Sequence, residues 1–227
     1  MLSERIQFPA NGGQAPGFLA RPQAADKRPA VVVIQEWWGL NAHIQDVTRR
    51  FATAGFVALA PDLYHGKVAT EPDEARKAVM EMNRDVAVRD IRAGIDYLKS
   101  LSDVAPKRVG MVGFCMGGGV ALQATATLPD VAAVVAFYGS GPDAGVFAGS
   151  SAAILSIVGD QDERAVASNR ALHAGLDAQG YAGPHELVVY PGAAHAFFND
   201  TRAEVYDADA SNDAWARTLS WLRANLT

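Results

Sequence analysis

The sequence predicts an α/β fold, a mostly parallel, doubly wound sheet with helices on both faces. Three observations carry that prediction. Short apolar runs without polar alternation recur along the chain, as in Ala30-Val31-Val32-Val33-Ile34 and Ala153-Ile154-Leu155-Ser156-Ile157-Val158, and strands buried on both faces read this way. Segments with helical spacing separate these runs, the βαβ signature of a parallel sheet. Several runs stop at a short charged or glycine-bearing loop, and in open α/β sheets the carboxyl edge of the strands is where ligands bind.

The elements follow in order. Residues 1–30 read as an N-terminal strand or hairpin, with Asn11-Gly12-Gly13 as the turn and Pro16–Ala20 as the second strand. The stretch 23–29 is a polar connection. The first buried strand, 30–35, ends at Glu36-Trp37-Trp38-Gly39. Asn41 suits a helix cap, and Ile44, Val47 and Phe51 form a stripe on a helix that runs to about Ala54, where Gly55 stops it. The next strand is 56–60, closed by Pro61-Asp62. A loop follows over 63–72, then a helix over 71–82 with Pro72 in its first turn, then a longer helix from Arg84 to Ser100. After Pro106 comes the strand Val109-Gly110-Met111-Val112, a glycine-bounded turn, and a helix-forming run from Val120 to Ala126. Strands at 131–138, 153–158 and 186–190 and helices at 166–179 and 209–225 complete the pattern. With 227 residues and no repeat, low-complexity segment or linker, the chain 1–227 reads as a single domain.

Composition narrows the function classes. The net charge of −5, with no basic run, argues against nucleic acid as a partner. No 18-residue apolar stretch exists to span a membrane, and Met1–Ala10 holds no apolar core of a signal peptide. A single cysteine forms no internal disulfide, which suits the cytoplasm. The histidines His43, His65, His173 and His185 show no metal-ligand spacing, so no metal and no cofactor is expected. A monomer acting on a small molecule is the expectation.

That one cysteine, Cys115, sits in Gly113-Phe114-Cys115-Met116-Gly117, a nucleophile elbow with cysteine in the serine position. A tight strand-to-helix turn demands small flanking residues, and the helix N-terminus offers N–H groups and a positive dipole end to a thiolate and later to an oxyanion. The plainer alternative is a core cysteine beside a glycine turn. Against it, Asp162 and His195 also follow strands, and the order nucleophile, acid, histidine is a known triad order. The thiolate attacks a carbonyl, His195 takes the thiol proton, and a carboxylate fixes the imidazole. Asp162, in the spacing Gly159-x-x-Asp162, and Asp160, nearer the strand end, both compete for the acid role.

Taken together, Gln35-Glu36-Trp37-Trp38-Gly39, Ala60-Pro61-Asp62-Leu63-Tyr64, Gly113-Phe114-Cys115-Met116-Gly117-Gly118, Phe137-Tyr138-Gly139, Gly159-x-x-Asp162 and Tyr190-Pro191-Gly192-Ala193-Ala194-His195-Ala196-Phe197 resemble the dienelactone hydrolase family (carboxymethylenebutenolidases) of the α/β-hydrolases, over nearly the whole length. The resemblance implies a Cys115–His195–Asp162 triad with Glu36 beside the thiol. It implies an oxyanion hole from the backbone N–H groups of Trp37 and Met116, and opening of a dienelactone to maleylacetate. A carboxylate beside the thiol would compete with His195 for its proton and hold back a premature thiolate. Trp37, Trp38, Tyr64, Tyr138 and Phe197 are candidate pocket walls. The family binds the substrate carboxylate with arginines, one of them four residues after the histidine, where this chain has Asn199. Arg76 is a loose match to another, and Arg202 is a further candidate. That departure opens a second reading, a broader short-chain carboxylesterase. Two readings from other classes are a thiol redox sensor, which lacks a second cysteine here, and a non-catalytic binding module, against which the intact Cys, His and Asp set weighs.

Overall fold

The computed structural model describes residues 1–23 and 26–226. The expected polar connection at 23–29 includes Ala24 and Ala25, which lie outside the described residues. The chain divides into two compact units, Met1–Gly110 and Met111–Thr227.

In the first unit, Asn11 and Gly12 both take positive φ (52° and 76°), the combination that a two-residue type I′ hairpin turn requires. They join β1 (Leu2–Ala10) to β2 (Gly13–Arg21) in antiparallel register, from Leu2 opposite Arg21 to Ala10 opposite Gly13. The N-terminal segment is therefore a full hairpin. β3 (Ala30–Ile34) and β4 (Val57–Pro61) are buried at every residue and run parallel, and the strand order of this unit is β1-β2-β4-β3. α1 (Ala42–Thr53) starts at Asn41, whose side chain accepts the Ile44 N–H at 3.1 Å. α2 (Pro72–Glu81) and α3 (Arg84–Ser100) follow, the latter capped by Asn83. Phe18 and Leu19 of β2 point to opposite faces. Arg49 of α1 lies over the Phe18 ring. Leu59, directly opposite Leu19, faces Gly94 of α3, where an added methyl would sit 3.2 Å from it. α1 and α3 thus cover the two faces of this part of the sheet, as doubly wound topology requires.

The second unit carries β5 (Val109–Phe114), whose first two residues precede the boundary, then β6 (Val131–Phe137), β7 (Ala153–Gly159) and β8 (His185–Tyr190), in that spatial order. β6, β7 and β8 run parallel. The helices are α4 (Met116–Thr125), α5 (Glu163–Ala178) and α6 (Ala208–Asn225), with a short 3₁₀ turn at Ala144–Phe147 that the sequence did not suggest.

Two helix starts differ from the expectation. α4 begins at Met116, four residues before Val120, and takes in Gly117, Gly118 and Gly119. A methyl on Gly118 would stand 2.9 Å from the Phe137 carbonyl, and one on Gly139 would stand 2.5 Å from the Gly119 nitrogen. The first turn of α4 lies so close to the end of β6 that only Cβ-free residues fit, and this packing overrides the poor helix propensity of glycine. α5 begins at Glu163 because the Asp162 carboxylate accepts the Ala165 N–H at 3.1 Å and caps it.

A polar chain that runs from the buried Ser156 and His173 out to the surface ties α5 to the sheet. His173 meets Ser156 Oγ through Nε2 (3.0 Å) and His185 Nδ1 through Nδ1 (3.0 Å), and His185 Nε2 faces Asp177 at 3.4 Å. With a neutral imidazole one ring nitrogen donates and the other accepts, so His173 can serve both partners at once. Burial, with the neighbouring His185 adding to it and Asp177 opposing, lowers the His173 pKa to about 4.

Candidate active site

β5 delivers Cys115 at its end in a left-handed conformation, φ 54° and ψ −121°. Such a conformation is costly for a residue with a side chain. It is held by the Cys115 N–H donating to the Phe137 carbonyl at 3.0 Å, and by the Gly118 N–H donating to the Cys115 carbonyl at 3.0 Å. The turn is tight enough that a methyl on Gly113 would fall 2.0 Å from the Gly117 carbonyl oxygen. Met116 opens α4, and Cys115 is its N-cap, half-buried.

β7 and β8 deliver the partners. His195 Nε2 lies 3.2 Å from Cys115 Sγ, and His195 Nδ1 lies 2.5 Å from Asp162 Oδ2. Asp162 uses its other oxygen to cap α5, so helix and imidazole share one carboxylate, and its rotamer is fixed from both sides. Because the carboxylate accepts, Nδ1 carries a proton, and Nε2 is directed at the sulfur. Burial works against the imidazolium, but the bond and charge of Cys115, followed by those of Asp162, outweigh it and raise the His195 pKa to about 9. The His195 side chain remains 44% exposed and that of Asp162 only 14%, so a substrate can reach the outer face of the imidazole. Cys115, His195 and Asp162 are brought together. Asp160, the competing acid, instead accepts the Gly192 N–H at 2.8 Å.

Tyr138 packs its ring 5.1 Å from that of His195 and 5.8 Å from that of Phe197. Tyr138, Phe197 and Asn199 are all buried. The Asn199 amide oxygen accepts from the N–H and the hydroxyl of Thr201, at 3.1 and 2.7 Å. Downstream, the Phe197 carbonyl accepts from the Asp207 N–H and the Ser211 hydroxyl, which fastens the segment after His195 to the start of α6. Arg202 pairs with Glu204 at 2.8 Å.

The remaining expected site residues belong to the first unit. Glu36 follows β3 and is 1% exposed, and its carbonyl accepts the Gly39 N–H at 3.2 Å. The Trp37 and Trp38 rings meet edge-on at 5.1 Å. Tyr64 is buried in a loop organised by Asp62, whose carboxylate accepts the N–H groups of Tyr64 and Gly66, and it lines a cavity of about 180 Å³ within this unit. Arg76 is exposed on α2 and bonds Asp73 at 2.6 Å.

Sequence reasoning missed two features of the second unit. Tyr138 and Ala196 have positive φ (39° and 64°), so three non-glycine residues at or beside the candidate site are in the left-handed region. Asp160 has a bonding role distinct from that of Asp162. No pattern of residue types announces either feature. Among the described residues, no three His, Cys, Asp or Glu side chains converge as a metal site, and no helix is long and apolar enough to cross a membrane.

The comparisons with known proteins agree with the motifs. The model of the dienelactone hydrolase family matches residues 15–226. A protein of Aquifex aeolicus provisionally named carboxymethylenebutenolidase is 32% identical, over 99% of this chain and all of its own. A Bradyrhizobium protein provisionally named 2-oxo-3-(5-oxofuran-2-ylidene)propanoate lactonase is 33% identical, over 97% of this chain and 94% of its own. A crystal structure from Klebsiella pneumoniae, described provisionally as a dienelactone hydrolase, superposes with a TM-score of 0.88 at 28% identity, covering 98% of both chains. The cysteine elbow, the strand-end aspartate and histidine, and a family match that spans both units converge on one conclusion: the chain belongs to the dienelactone hydrolase family of the α/β-hydrolase superfamily.

Proposed function

We propose that the protein opens a small lactone, or cleaves a small ester, through a cysteinyl thioester. The observation that carries this reading is the continuous line Cys115 Sγ–His195 Nε2 at 3.2 Å and His195 Nδ1–Asp162 Oδ2 at 2.5 Å. His195 accepts the thiol proton and the sulfur attacks the carbonyl carbon. The oxyanion is met by the N–H of Met116 at the start of α4 and by that of Trp37. Collapse breaks the C–O bond, and His195 returns the proton to the leaving oxygen. In a lactone that oxygen stays tethered to the acyl group. Water, deprotonated by His195, then attacks the thioester, and the thiol is released. Asp162 holds the imidazole orientation and stabilises its cation. Glu36 acts on the thiol proton and restrains the resting cysteine. The family match over both units supports a single catalytic domain of residues 1–227, and we place it, as a monomer, in the cytoplasm.

The substrate we favour is dienelactone (4-carboxymethylenebut-2-en-4-olide), opened to maleylacetate. Its leaving group is an enol. A tetrahedral intermediate that carries a thiolate expels the better leaving group, so a cysteine nucleophile suits enol and aryl esters better than alkyl esters. The names of the Aquifex and Bradyrhizobium relatives both describe unsaturated five-membered lactones. A second reading, a broader short-chain carboxylesterase, is favoured by Asn199 standing where the family has an arginine and by Arg76 and Arg202 each bonding a neighbouring carboxylate. In that reading the acyl group is bound without an anion clamp.

Turnover of cis- and trans-dienelactone beside p-nitrophenyl acetate, for wild type and Cys115→Ala, tests both. Fast lactone opening that the substitution abolishes supports the lactonase. Slow lactone opening with good ester cleavage, also abolished, supports the esterase. Activity that survives the substitution refutes the role of Cys115.

A further inference from the structure

We propose that Asp160 is a positioning residue that locks the loop carrying His195 onto the loop carrying Asp162. The proposal rests on the catalytic reading above. In the second unit, the residue just after a strand repeatedly bonds to the neighbouring strand. The Cys115 N–H donates to Phe137 O of β6, the Tyr138 N–H to Ile157 O of β7, and the Asp160 N–H to Tyr190 O of β8 (3.0, 2.7 and 3.0 Å). The sheet ladder therefore continues one residue beyond β5, β6 and β7, into the loops that hold the reacting groups.

At Asp160 the ladder acquires a side-chain rung. Asp160 Oδ1 accepts the Gly192 N–H at 2.8 Å, and the Gln161 N–H donates to the Ala193 carbonyl at 3.1 Å. Gly192 has φ 76°, so its N–H is presented by a backbone turn that glycine adopts readily. The loops also touch without room to spare, since a methyl on Gly159 would lie 2.2 Å from the Ala193 oxygen. Asp162 lies two residues beyond Asp160, and His195 lies three beyond Gly192. The stitch thus sets the distance across which Asp162 grips His195, and through it the direction in which Nε2 faces Cys115. The other rungs are backbone, so Asp160 is the one side chain among these bonds whose loss can be tested by substitution. The side chain is exposed, so it adds little to the core.

The test uses Asp160→Ala, Asp160→Leu and Asp160→Asn, with two readouts. The first is iodoacetamide alkylation of Cys115 at pH 6.5 and at pH 10, the ratio reporting how well His195 serves the thiol at neutral pH. The second is the kcat and KM of p-nitrophenyl acetate hydrolysis. In the Ala and Leu variants the ratio falls about five-fold, the size of one ordinary hydrogen bond, kcat falls likewise, and KM is unchanged. Asn keeps an acceptor at the same position and restores both. A wild-type ratio in Ala and Leu overturns the proposal, and so does an Asn variant as impaired as Ala, because the acceptor would then not be what matters. A purely structural role would lower the urea midpoint without moving the ratio. Absence of hydrolysis by the wild type would sink the catalytic reading alone, since the alkylation ratio still reports whether Asp160 holds His195 to Cys115.

Discussion

Acid should loosen this protein through His173, and the size of the effect follows from where the residue sits. His173 is 8% exposed, bonds Ser156 and His185, and has its pKa lowered to about 4 from 6.5. A histidine with a lowered folded pKa contributes stability that is fully present above its unfolded pKa. That contribution is lost as pH falls from about 6.5 towards 4, because only the unfolded chain then takes up the proton. Between pH 7 and pH 5 the loss from this one group is about 2 kcal/mol, and it approaches about 3 kcal/mol below pH 4. For a chain of this length each kcal/mol is worth about 2–4 °C in Tm. Other groups titrate over the same range, so the assay is a difference. Urea unfolding of wild type and His173→Gln is measured at pH 7 and pH 5. Gln keeps one donor and one acceptor near Ser156 and His185 but does not titrate. The wild type should lose about 2 kcal/mol more than the variant over that interval, and NMR should show the His173 ring still neutral at pH 5. Equal losses in the two proteins would refute the reasoning, as would a His173 ring that titrates near 6.5.

Two further outcomes follow from packing and electrostatics. Gly139→Ala drives a methyl to 2.5 Å from the Gly119 nitrogen and 2.6 Å from the Gly118 carbonyl carbon. Both are backbone, so the first turn of α4 must shift, and the cost should be about 1–3 kcal/mol in urea unfolding with a loss of esterase turnover. A silent Gly139→Ala would mean that α4 does not depend on that close approach. Glu36→Gln removes the negative charge proposed to compete for the thiol proton, and should change the pH dependence of Cys115 alkylation. An unchanged profile would dismiss the restraint assigned to Glu36.

The legible parts of this molecule are those in which local sequence and tertiary environment agree. β3, β4 and β6 are buried at every residue, and their uninterrupted apolar runs say so directly. Cys115, Asp162 and His195 were readable because each comes just after a strand, where topology alone brings distant residues to one edge. The start of α4 was not readable, since three successive glycines argue against a helix until the proximity of Phe137 O and Gly139 is known. The His173–His185 pair was illegible for a related reason. Its members come from α5 and β8, and only the fold puts their Nδ1 atoms 3.0 Å apart. The spacing Gly159-x-x-Asp162 favours Asp162 over Asp160, but it does not show what separates the two. That depends on the conformation of a loop thirty residues away in sequence, where Gly192 turns its N–H towards one carboxylate and leaves the other to the imidazole.

The strained residues explain how that edge holds Cys115 and His195 in place. Cys115, Tyr138 and Ala196 each occupy the left-handed region, at a cost of about 1–3 kcal/mol apiece. None is a glycine that would take the conformation freely. Each is held by a backbone bond that lies off the regular elements. Cys115 donates to Phe137 O, Tyr138 donates to Ile157 O, and the Ala196 carbonyl accepts from Asn199. The first two bonds extend the sheet ladder past the strand ends, so the stability of the sheet offsets the strain where the chain must turn. What the turn achieves is direction. At Cys115 it puts the sulfur at the head of α4 within reach of Nε2. At Tyr138 it lays a ring against the imidazole. At Ala196 it bends the chain directly after His195 so that the Phe197 carbonyl meets the start of α6. A relaxed backbone at these three points would continue each strand in line and carry the side chains apart. The strain is therefore the cost of pre-organising Cys115 and His195 in a chain whose remaining architecture is ordinary.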